Sequence, residues 1–182
     1  MYINEPIKKY LDDLSAKLPA PGGGSASALV GALGCALLCM VCNFTIGKAK
    51  YKDVEREIKE ILKHLKDSKQ RFLQIVDLDV KAYYKVFKSR KSAQRIYQRN
   101  LINATRVPLE ICELVSETYK FCPLLSKKTN KYLISDVYVA KELLKSCFKS
   151  AEFNVRINLP HIKNKNFVSR SNKIIKNLRR LM

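Results

Sequence analysis

Acidic residues are scarce in this sequence: 16 Asp and Glu stand against 35 Lys and Arg, for a formal net charge of +19 over 182 residues. Such an excess gives the surface a strong positive potential, which attracts nucleic acid, anionic lipid or polyanionic small molecules. Charge alone does not choose among these partners. An apolar fraction of 47% excludes a disordered chain and is typical of a globular protein.

No stretch alternates apolar and polar side chains with period two, so the sequence carries no signal for a β-strand. Apolar residues recur instead at spacings of three and four through nearly the whole chain. This spacing predicts an all-α bundle of five or six helices, formed by a single domain over residues 1–182. The expected boundaries are Pro19 and Pro21 after the first helix, Ser25 and Asp53 as caps of the second and third, Pro108 as a kink in the fourth, Ser135 as cap of the fifth, and Ser169 or Ser171 before a tail helix.

A signal peptide is also missing, because MYINEPIKKY has neither an apolar core nor a small-residue cleavage site. We therefore expect a cytoplasmic protein with reduced thiols. Cys35, Cys39 and Cys42 lie four and three residues apart in an apolar run, which is helical spacing and favours a packing role. The strand context of a thioredoxin pair is absent, and neither His64 nor His161 is near enough in sequence to suggest zinc.

Charged residues are absent from the whole segment between Lys17 and Lys48, LPAPGGGSASALVGALGCALLCMVCNFTIG. The 21 residues from 26 to 46 are long enough to cross a bilayer. Only nine of them are large and apolar, however, and eleven are small, which makes insertion into lipid weakly favourable. The composition therefore favours a central helix of a bundle, buried on every side, whose small residues let neighbouring helices approach closely.

The glycine run in PGGGSAS lacks the lysine of a Walker loop, and a Rossmann loop requires a preceding strand. Three consecutive glycines still permit backbone conformations that other residues avoid, and they lead into a helix N-terminus whose free N–H groups attract anions. A flexible connector and a binding loop both fit these residues. The flanking prolines and the apolar helix that follows favour the binding loop.

Four ordered blocks carry a family resemblance. Residues 18–51 contain the glycine loop and an Asn-x-Thr-x-Gly-Lys motif, and DLDVKAYYKVF (77–87) contains Asp-x-Asp-x-x-Ala-Tyr. ATRVPLEICELV (104–115) contains Thr-x-Val-Pro-Leu, and SDVYVAKELLKSCFKSAEFNVRINL (135–159) ends in Asn-Val-Arg-Ile-Asn. The sequence resembles the formiminotransferase-cyclodeaminase C-terminal family, which includes formiminotetrahydrofolate cyclodeaminases and methenyltetrahydrofolate cyclohydrolases.

The resemblance implies an antiparallel helical bundle that forms a homodimer, is not membrane-bound and acts on a folate, with or without a polyglutamate tail. One family reaction closes formiminotetrahydrofolate to methenyltetrahydrofolate with loss of ammonia. The other hydrolyses methenyltetrahydrofolate to formyltetrahydrofolate. Both move protons around a tetrahedral carbon, so carboxylates and hydrogen-bond donors suffice and no cofactor or metal is expected. The sequence does not decide between the two reactions.

The resemblance also implies a set of site residues, which we expect to line one pocket. The expected catalytic residues are Asp79 and Asp136, and the expected substrate-binding residues are Pro21, Gly22, Gly23, Gly24, Ser25, Asn43, Thr45, Lys48, Asn154 and Arg156. Arg156 is suited to bind a substrate carboxylate with its two parallel N–H groups. Without the resemblance, the preferred interpretation is that Asp136 complements a helix dipole and that Asp77 and Asp79 are solvent-facing charges.

A function of another class is suggested by two basic stretches. Residues 80–100 carry seven Lys or Arg and no acid, with interleaved aromatic residues, and residues 161–182 carry seven more. Such stretches suit nucleic-acid phosphates. A solvated basic surface is the favoured explanation of these stretches, and positive charge near the site also suits the carboxylates of a folate. A nucleic-acid-binding protein without catalytic activity therefore stays the alternative hypothesis.

Overall fold

The structure, a computed structural model, describes residues 1–182 and contains helices but no strands. The helices are α1 (Ile7–Ser15), α2 (Gly23–Asn43), α3 (Glu55–Lys88), α4 (Gln94–Tyr119), α5 (Cys122–Lys128), α6 (Ile134–Asn158) and α7 (Lys165–Arg179). Six of them have nine or more residues, and only the short α5 was not expected. The prediction of an all-α bundle is confirmed.

Helix α2 lies in the middle of the bundle, between α3 and α6. Its glycines permit this close packing: a Cβ on Gly31 would lie 2.5 Å from the ring of Phe72 on α3, and one on Gly34 would lie 3.0 Å from Leu144 on α6. The hydroxyl of Ser27 donates to that of Ser150 at 2.9 Å. Because Ser27 precedes Gly34 while Ser150 follows Leu144, α2 and α6 run antiparallel.

Helix α2 is also long and apolar enough to cross a membrane, and 61% of its most apolar window is buried within the bundle. The central position agrees with the sequence prediction, but burial on every side does not. One apolar face, here called the α2 outer face, is not fully covered by the chain. It consists of Ala26, Leu29, Val30, Leu33, Ala36, Leu37, Met40 and Phe44. Leu33 and Phe44 are 50% and 53% exposed.

Helix α7 covers a smaller second core beside α4 and α6, centred on Leu101, Val155 and Ile175. A buried carboxylate on α6 stabilises α7 in this position. Glu152 of α6 accepts a hydrogen bond from Arg156 at 2.7 Å and another from Arg179 near the end of α7. The basic tail helix is therefore part of the packed domain.

Several predicted helix boundaries are wrong by a few residues. Helix α2 begins after Gly22, α3 after Val54 and α6 after Leu133, so the side chains of Ser25, Asp53 and Ser135 are not their caps. Short 3-10 turns precede α3 and α6 and lead the chain into each helix without a capping side chain. The tail helix also begins earlier than expected, and Pro108, where a kink was expected, lies inside the continuous helix α4.

Candidate active site

A close polar contact joins the glycine loop to α3. Asp79 points at the first turn of α2, where the backbone N–H of Ser25 donates to its Oδ2 at 2.9 Å. A Cβ on Gly24 would lie only 2.1 Å from the Oδ1 of Asp79. No side chain fits at position 24 while the carboxylate stays in place. The glycine of the loop is therefore required by a close approach and not only by flexibility.

Asp79 is well placed for proton transfer. Burial raises its pKa from the ordinary 3.8 to about 6, although the Ser25 N–H, which stabilises the charged form, acts in the opposite direction. Its Oδ1 has no hydrogen-bond partner within the chain and lies beside Gly24 at a cavity wall. A carboxylate with a pKa near the working pH is suited to both accept and return a proton.

The cavity at this carboxylate has a volume of about 690 Å³, within the range of small-molecule sites. Its inner end is polar and is formed by the glycine loop, Asp79, Asn154 and Asn158. Asn154 lies directly against the loop, since a Cβ on Gly23 would be 3.4 Å from its Oδ1. Its amide N–H donates to the Ser150 carbonyl at 2.9 Å, which orients the side chain along α6.

The rest of the cavity is a largely apolar wall that includes two tyrosines, and its rim carries the guanidinium of Arg90. Tyr83 and Tyr97 contribute to the wall, and Arg90 and His161 lie at the rim. The guanidinium of Arg90 stacks on the ring of Phe87 with 5.1 Å to the centroid. Along α3 and the following turn, Arg90 is eleven residues beyond Asp79, which corresponds to about 16 Å at 1.5 Å per residue.

Some of the predicted site residues meet at this cavity. Gly22, Gly23, Gly24, Asp79 and Asn154 line it. Pro21 and Ser25 are buried behind the loop, where Ser25 contacts Asp79 through its backbone. The prediction that the glycine loop and the second acid of the Asp-x-Asp motif belong together therefore agrees with the geometry.

The predicted site residues do not all line this cavity of a single chain. Asp136 precedes Asn154 by eighteen residues on α6, so the two are about 27 Å apart along the helix. Asn43 and Lys48 lie at or beyond the far end of α2. Thr45 is buried there and donates to the Val41 carbonyl at 2.8 Å. These motifs lie at opposite ends of the bundle because α2 and α6 each span its full length.

Arg156 also differs from expectation. Its Nε donates to Glu152, one turn earlier on α6, and it does not line the cavity, although its neighbour Ile157 and the nearby Asn154 do. The helical repeat turns position 156 away from position 154. Arg90 is the cation at the rim instead. It lies in the acid-free aromatic and basic stretch, a signal that the sequence associated equally with nucleic acid.

The cysteines agree with the packing interpretation. All six thiols are free and buried. Burial raises the pKa of Cys35 and of Cys42 to about 12, and it also raises that of Cys39, so none of the three is a thiolate at neutral pH. The Cys39 and Cys42 pair therefore lacks the reactivity of a redox site.

Known proteins resemble this chain in sequence and in fold. The model of the family described as formiminotransferase-cyclodeaminase matches residues 6–177. A methenyltetrahydrofolate cyclohydrolase of Methylorubrum extorquens is 35% identical, over 85% of this chain and 79% of that protein. A formimidoyltransferase-cyclodeaminase of Gallus gallus is 25% identical over 97% of this chain, which spans only 34% of that longer protein. A formiminotetrahydrofolate cyclodeaminase structure from Thermotoga maritima matches with a TM-score of 0.97 and 29% identity, over all of this chain and 91% of that one.

Proposed function

This chain belongs to the formiminotransferase-cyclodeaminase family, and on that premise we propose that it is an enzyme of folate one-carbon metabolism. Its reaction closes formiminotetrahydrofolate to methenyltetrahydrofolate with release of ammonia, or hydrolyses methenyltetrahydrofolate to formyltetrahydrofolate. The observation that carries the proposal is Asp79, a carboxylate with a pKa of about 6 held against a glycine helix turn at the inner end of a cavity. Nothing observed favours the nucleic-acid alternative.

Asp79 is the proposed proton-transfer group in either reaction. During cyclisation, the folate nitrogen that attacks the formimino carbon loses a proton, and the departing ammonia takes one up. During hydrolysis, the attacking water loses one proton as it adds to the carbon and a second as its oxygen becomes the formyl oxygen. The ring nitrogen gains one proton as its bond to the carbon breaks, and the other is released to water, because the methenyl group is cationic and the formyl group is not. A single carboxylate that accepts a proton from the attacking group and gives one to the departing nitrogen serves both reactions, without a cofactor.

The cavity suggests an orientation for the substrate. The one-carbon unit lies at the polar end beside Asp79 and Asn154, and the flat benzoyl group lies along the wall formed by Tyr83 and Tyr97. The glutamate carboxylates then reach the rim, where Arg90 takes the role that the sequence suggested for Arg156. Further glutamates of a polyglutamate tail would extend from this rim over a strongly basic surface.

The test is an assay of both reactions with the purified protein, following the absorbance of methenyltetrahydrofolate. We expect turnover of one or both substrates, and Asp79→Asn should lower kcat by ~10²–10⁴, the usual contribution of acid–base catalysis. Asp67→Asn, at an exposed position on the same helix, is the matched control. Inactivity of the unmodified protein with both substrates would overturn the proposal, and full activity of Asp79→Asn would overturn the role of Asp79.

We further propose that residues 1–182 act as one domain and form a homodimer through the α2 outer face. This face is apolar from Ala26 to Phe44, over a helix of 21 residues, and single chains rarely leave so long an apolar stripe to water. Two-fold pairing places the same face on both copies. An antiparallel pairing of the two α2 helices then brings the Asn43 end of one copy beside the glycine loop of the other.

Such a pairing would also unite the two separated sets of predicted site residues. The far end of the bundle carries Asn43, Lys48 and Asp136, and these residues would approach the cavity of the second copy. Asp136 would then supply a second carboxylate to a site built around Asp79 of the other chain. In this arrangement each active site contains residues from both copies, and a dimer has two sites.

A further inference from the structure

A chain of hydrogen bonds behind the site connects the N-terminal helix to Asp79. The hydroxyl of Tyr10 on α1 bonds to the hydroxyl of Ser25 at 3.1 Å. Ser25 is fully buried in the first turn of α2, and its backbone N–H donates to the Oδ2 of Asp79 at 2.9 Å. Tyr10 therefore reaches the carboxylate through one intermediate residue, although it does not line the cavity.

Tyr10 is itself held in place by the residues that precede α1. The edge of the Tyr2 ring packs against the Tyr10 ring at 86°, with 5.3 Å between centroids. The Tyr2 backbone N–H donates to the Oδ1 of the buried Asp77 at 2.8 Å, and the Tyr2 hydroxyl donates to Asp13 on α1 at 2.9 Å. Because Asp77 and Asp79 share one turn of α3, the N-terminal segment is fixed to the same part of the bundle as the proposed catalytic group.

Packing alone does not account for a tyrosine at position 10. It is the only buried residue of α1, at 4% exposure, whereas Ile7 and Leu11 on the same helix are exposed. Phenylalanine would fill the same space, and a buried hydroxyl is costly unless it forms a hydrogen bond. The one polar group that α1 buries is directed at the turn that holds Asp79.

We propose that Tyr10 is a positioning residue for Asp79. Its hydroxyl fixes the first turn of α2 so that the Ser25 N–H holds Oδ2 of the carboxylate, which leaves Oδ1 directed to the cavity. The inference rests on the proposed function, in which Asp79 transfers the proton. Loss of the hydroxyl leaves Ser25 Oγ without its partner and loosens the turn, so the N–H stabilises the charged carboxylate less well and its pKa rises.

Other ionisable groups near Asp79 can also contribute to the pH dependence of kcat. Tyr10 faces it from α1, while the ionisable groups that share the cavity are Tyr83 and Arg90 from α3 and its following turn, Tyr97 from α4, and His161 after α6. The glycine loop and the facing residues of α6, Asn154 and Asn158, carry no ionisable side chain. Because His161 lines the same cavity, its contribution is measured separately with His161→Gln.

The experiment measures kcat and KM between pH 5 and pH 9 for Tyr10→Phe and for Ser25→Ala. We expect about a tenfold lower kcat near pH 6.5 with an unchanged KM, a smaller loss than the ~10²–10⁴ of removing an acid–base group, because the base itself stays. The acidic limb of the kcat profile should move to higher pH, and the deficit should narrow above pH 8. Tyr119→Phe, a change at a buried tyrosine of α4 away from the cavity, should behave like the unmodified protein.

An unchanged acidic limb in both variants would overturn the inference. A loss of kcat that is equal at every pH and accompanies a lowered melting temperature would also overturn it, because that pattern indicates a purely structural role. An active Asp79→Asn variant would instead overturn the proposed function. If Asp79→Asn is inactive while both Tyr10→Phe and Ser25→Ala are normal, only the positioning role fails.

Discussion

The close approach of Asp79 to Gly24 affects both the pKa of the carboxylate and the stability of the fold. The carboxylate approaches the helix turn because position 24 has no side chain, and this approach removes it from water. One backbone N–H replaces only part of that hydration, so the proton is held more tightly in the folded chain than in the unfolded one. The property that suits Asp79 to catalysis therefore weakens the fold at neutral pH.

This linkage predicts a pH-dependent effect of Asp79→Asn on stability. The pKa of Asp79 is about 6 in the folded protein and 3.8 as its ordinary value, so the folded state retains the proton between these pH values while the unfolded state releases it. The penalty for burying the charge is complete above pH 6 and absent below pH 3.8. Asp79→Asn should raise the free energy of unfolding at pH 7–8 relative to the unmodified protein, and the gain should shrink as the pH falls through 6.

Urea unfolding curves at pH 4, 5.5 and 7.5 measure this difference, with Asp67→Asn on the exposed face of α3 as the control. A gain that is the same at all three pH values would contradict the raised pKa.

Two glycines of α2 should respond differently to alanine. At Gly24 the added Cβ meets Asp79, whose side chain rotates away, so we expect a large loss of kcat and little change in melting temperature. At Gly31 it would lie 2.5 Å from the buried ring of Phe72, which has no free space to enter. Gly31→Ala should therefore lower the free energy of unfolding by about 1–3 kcal/mol, as overpacked cores do. Thermal unfolding and turnover are measured for both variants. Equal effects of the two substitutions on melting temperature and on kcat would contradict this prediction.

At the scale of whole helices, α7 depends on a charged contact with α6. Glu152 is buried and accepts hydrogen bonds from Arg156 and Arg179, while both arginines keep part of their surface in water. This contact joins a helix with a short apolar face to the domain. Glu152 also holds Arg156 away from the cavity, so one carboxylate contributes both to the docking of the tail helix and to the position of a predicted site residue.

We expect Glu152→Gln to lower the free energy of unfolding by about 1.5–3 kcal/mol, the usual worth of a hydrogen bond to a charged group. Chemical denaturation measures the loss, and hydrogen exchange should show faster opening of α7. Glu142→Gln is the matched control, because Glu142 forms an exposed pair with Lys145 on the same helix and should change stability by less than about 1 kcal/mol. Equal effects of the two substitutions would contradict the importance of the buried contact.

For the whole molecule, the α2 outer face decides the proposed oligomeric state. Leu33→Asp places a charge at the middle of this face, where it stays hydrated in a monomer and is buried in a dimer. The variant should run as a monomer in size-exclusion chromatography with light scattering, and the unmodified protein as a dimer. Leu181→Asp, at an exposed position near the C-terminus, should leave the dimer intact. An unmodified protein that stays monomeric at micromolar concentration would contradict the proposal.

A site shared between two copies makes a further prediction about inactive variants. Asp79→Asn and Asp136→Asn should each be inactive alone. When the two are co-expressed, mixed dimers contain one site with both substitutions and one with neither. About a quarter of the full activity should then return. Activity that does not return, or an Asp136→Asn variant that is active alone, would remove Asp136 from the site.

Much of the fold was determined by the sequence itself, because helical periodicity depends on neighbours three and four residues apart. The all-α class, the central position of α2 and the burial of its cysteines all follow from such local spacing. The glycine loop and Asp79 were also identified from sequence, as motifs. The exact helix starts were not, because 3-10 turns led into α3 and α6 where a capping side chain was expected.

Only the tertiary structure decided which of those motifs meet. Sequence does not show how far apart two motifs lie once long helices separate them, and α2 and α6 carry Asn43 and Asp136 to the opposite end of the bundle from Gly24. Nor does it show that Arg156 binds Glu152 while Arg90 reaches the cavity rim. These outcomes depend on which helix faces pack together. That choice is made by shape and burial across the whole core, and local periodicity carries no information about it.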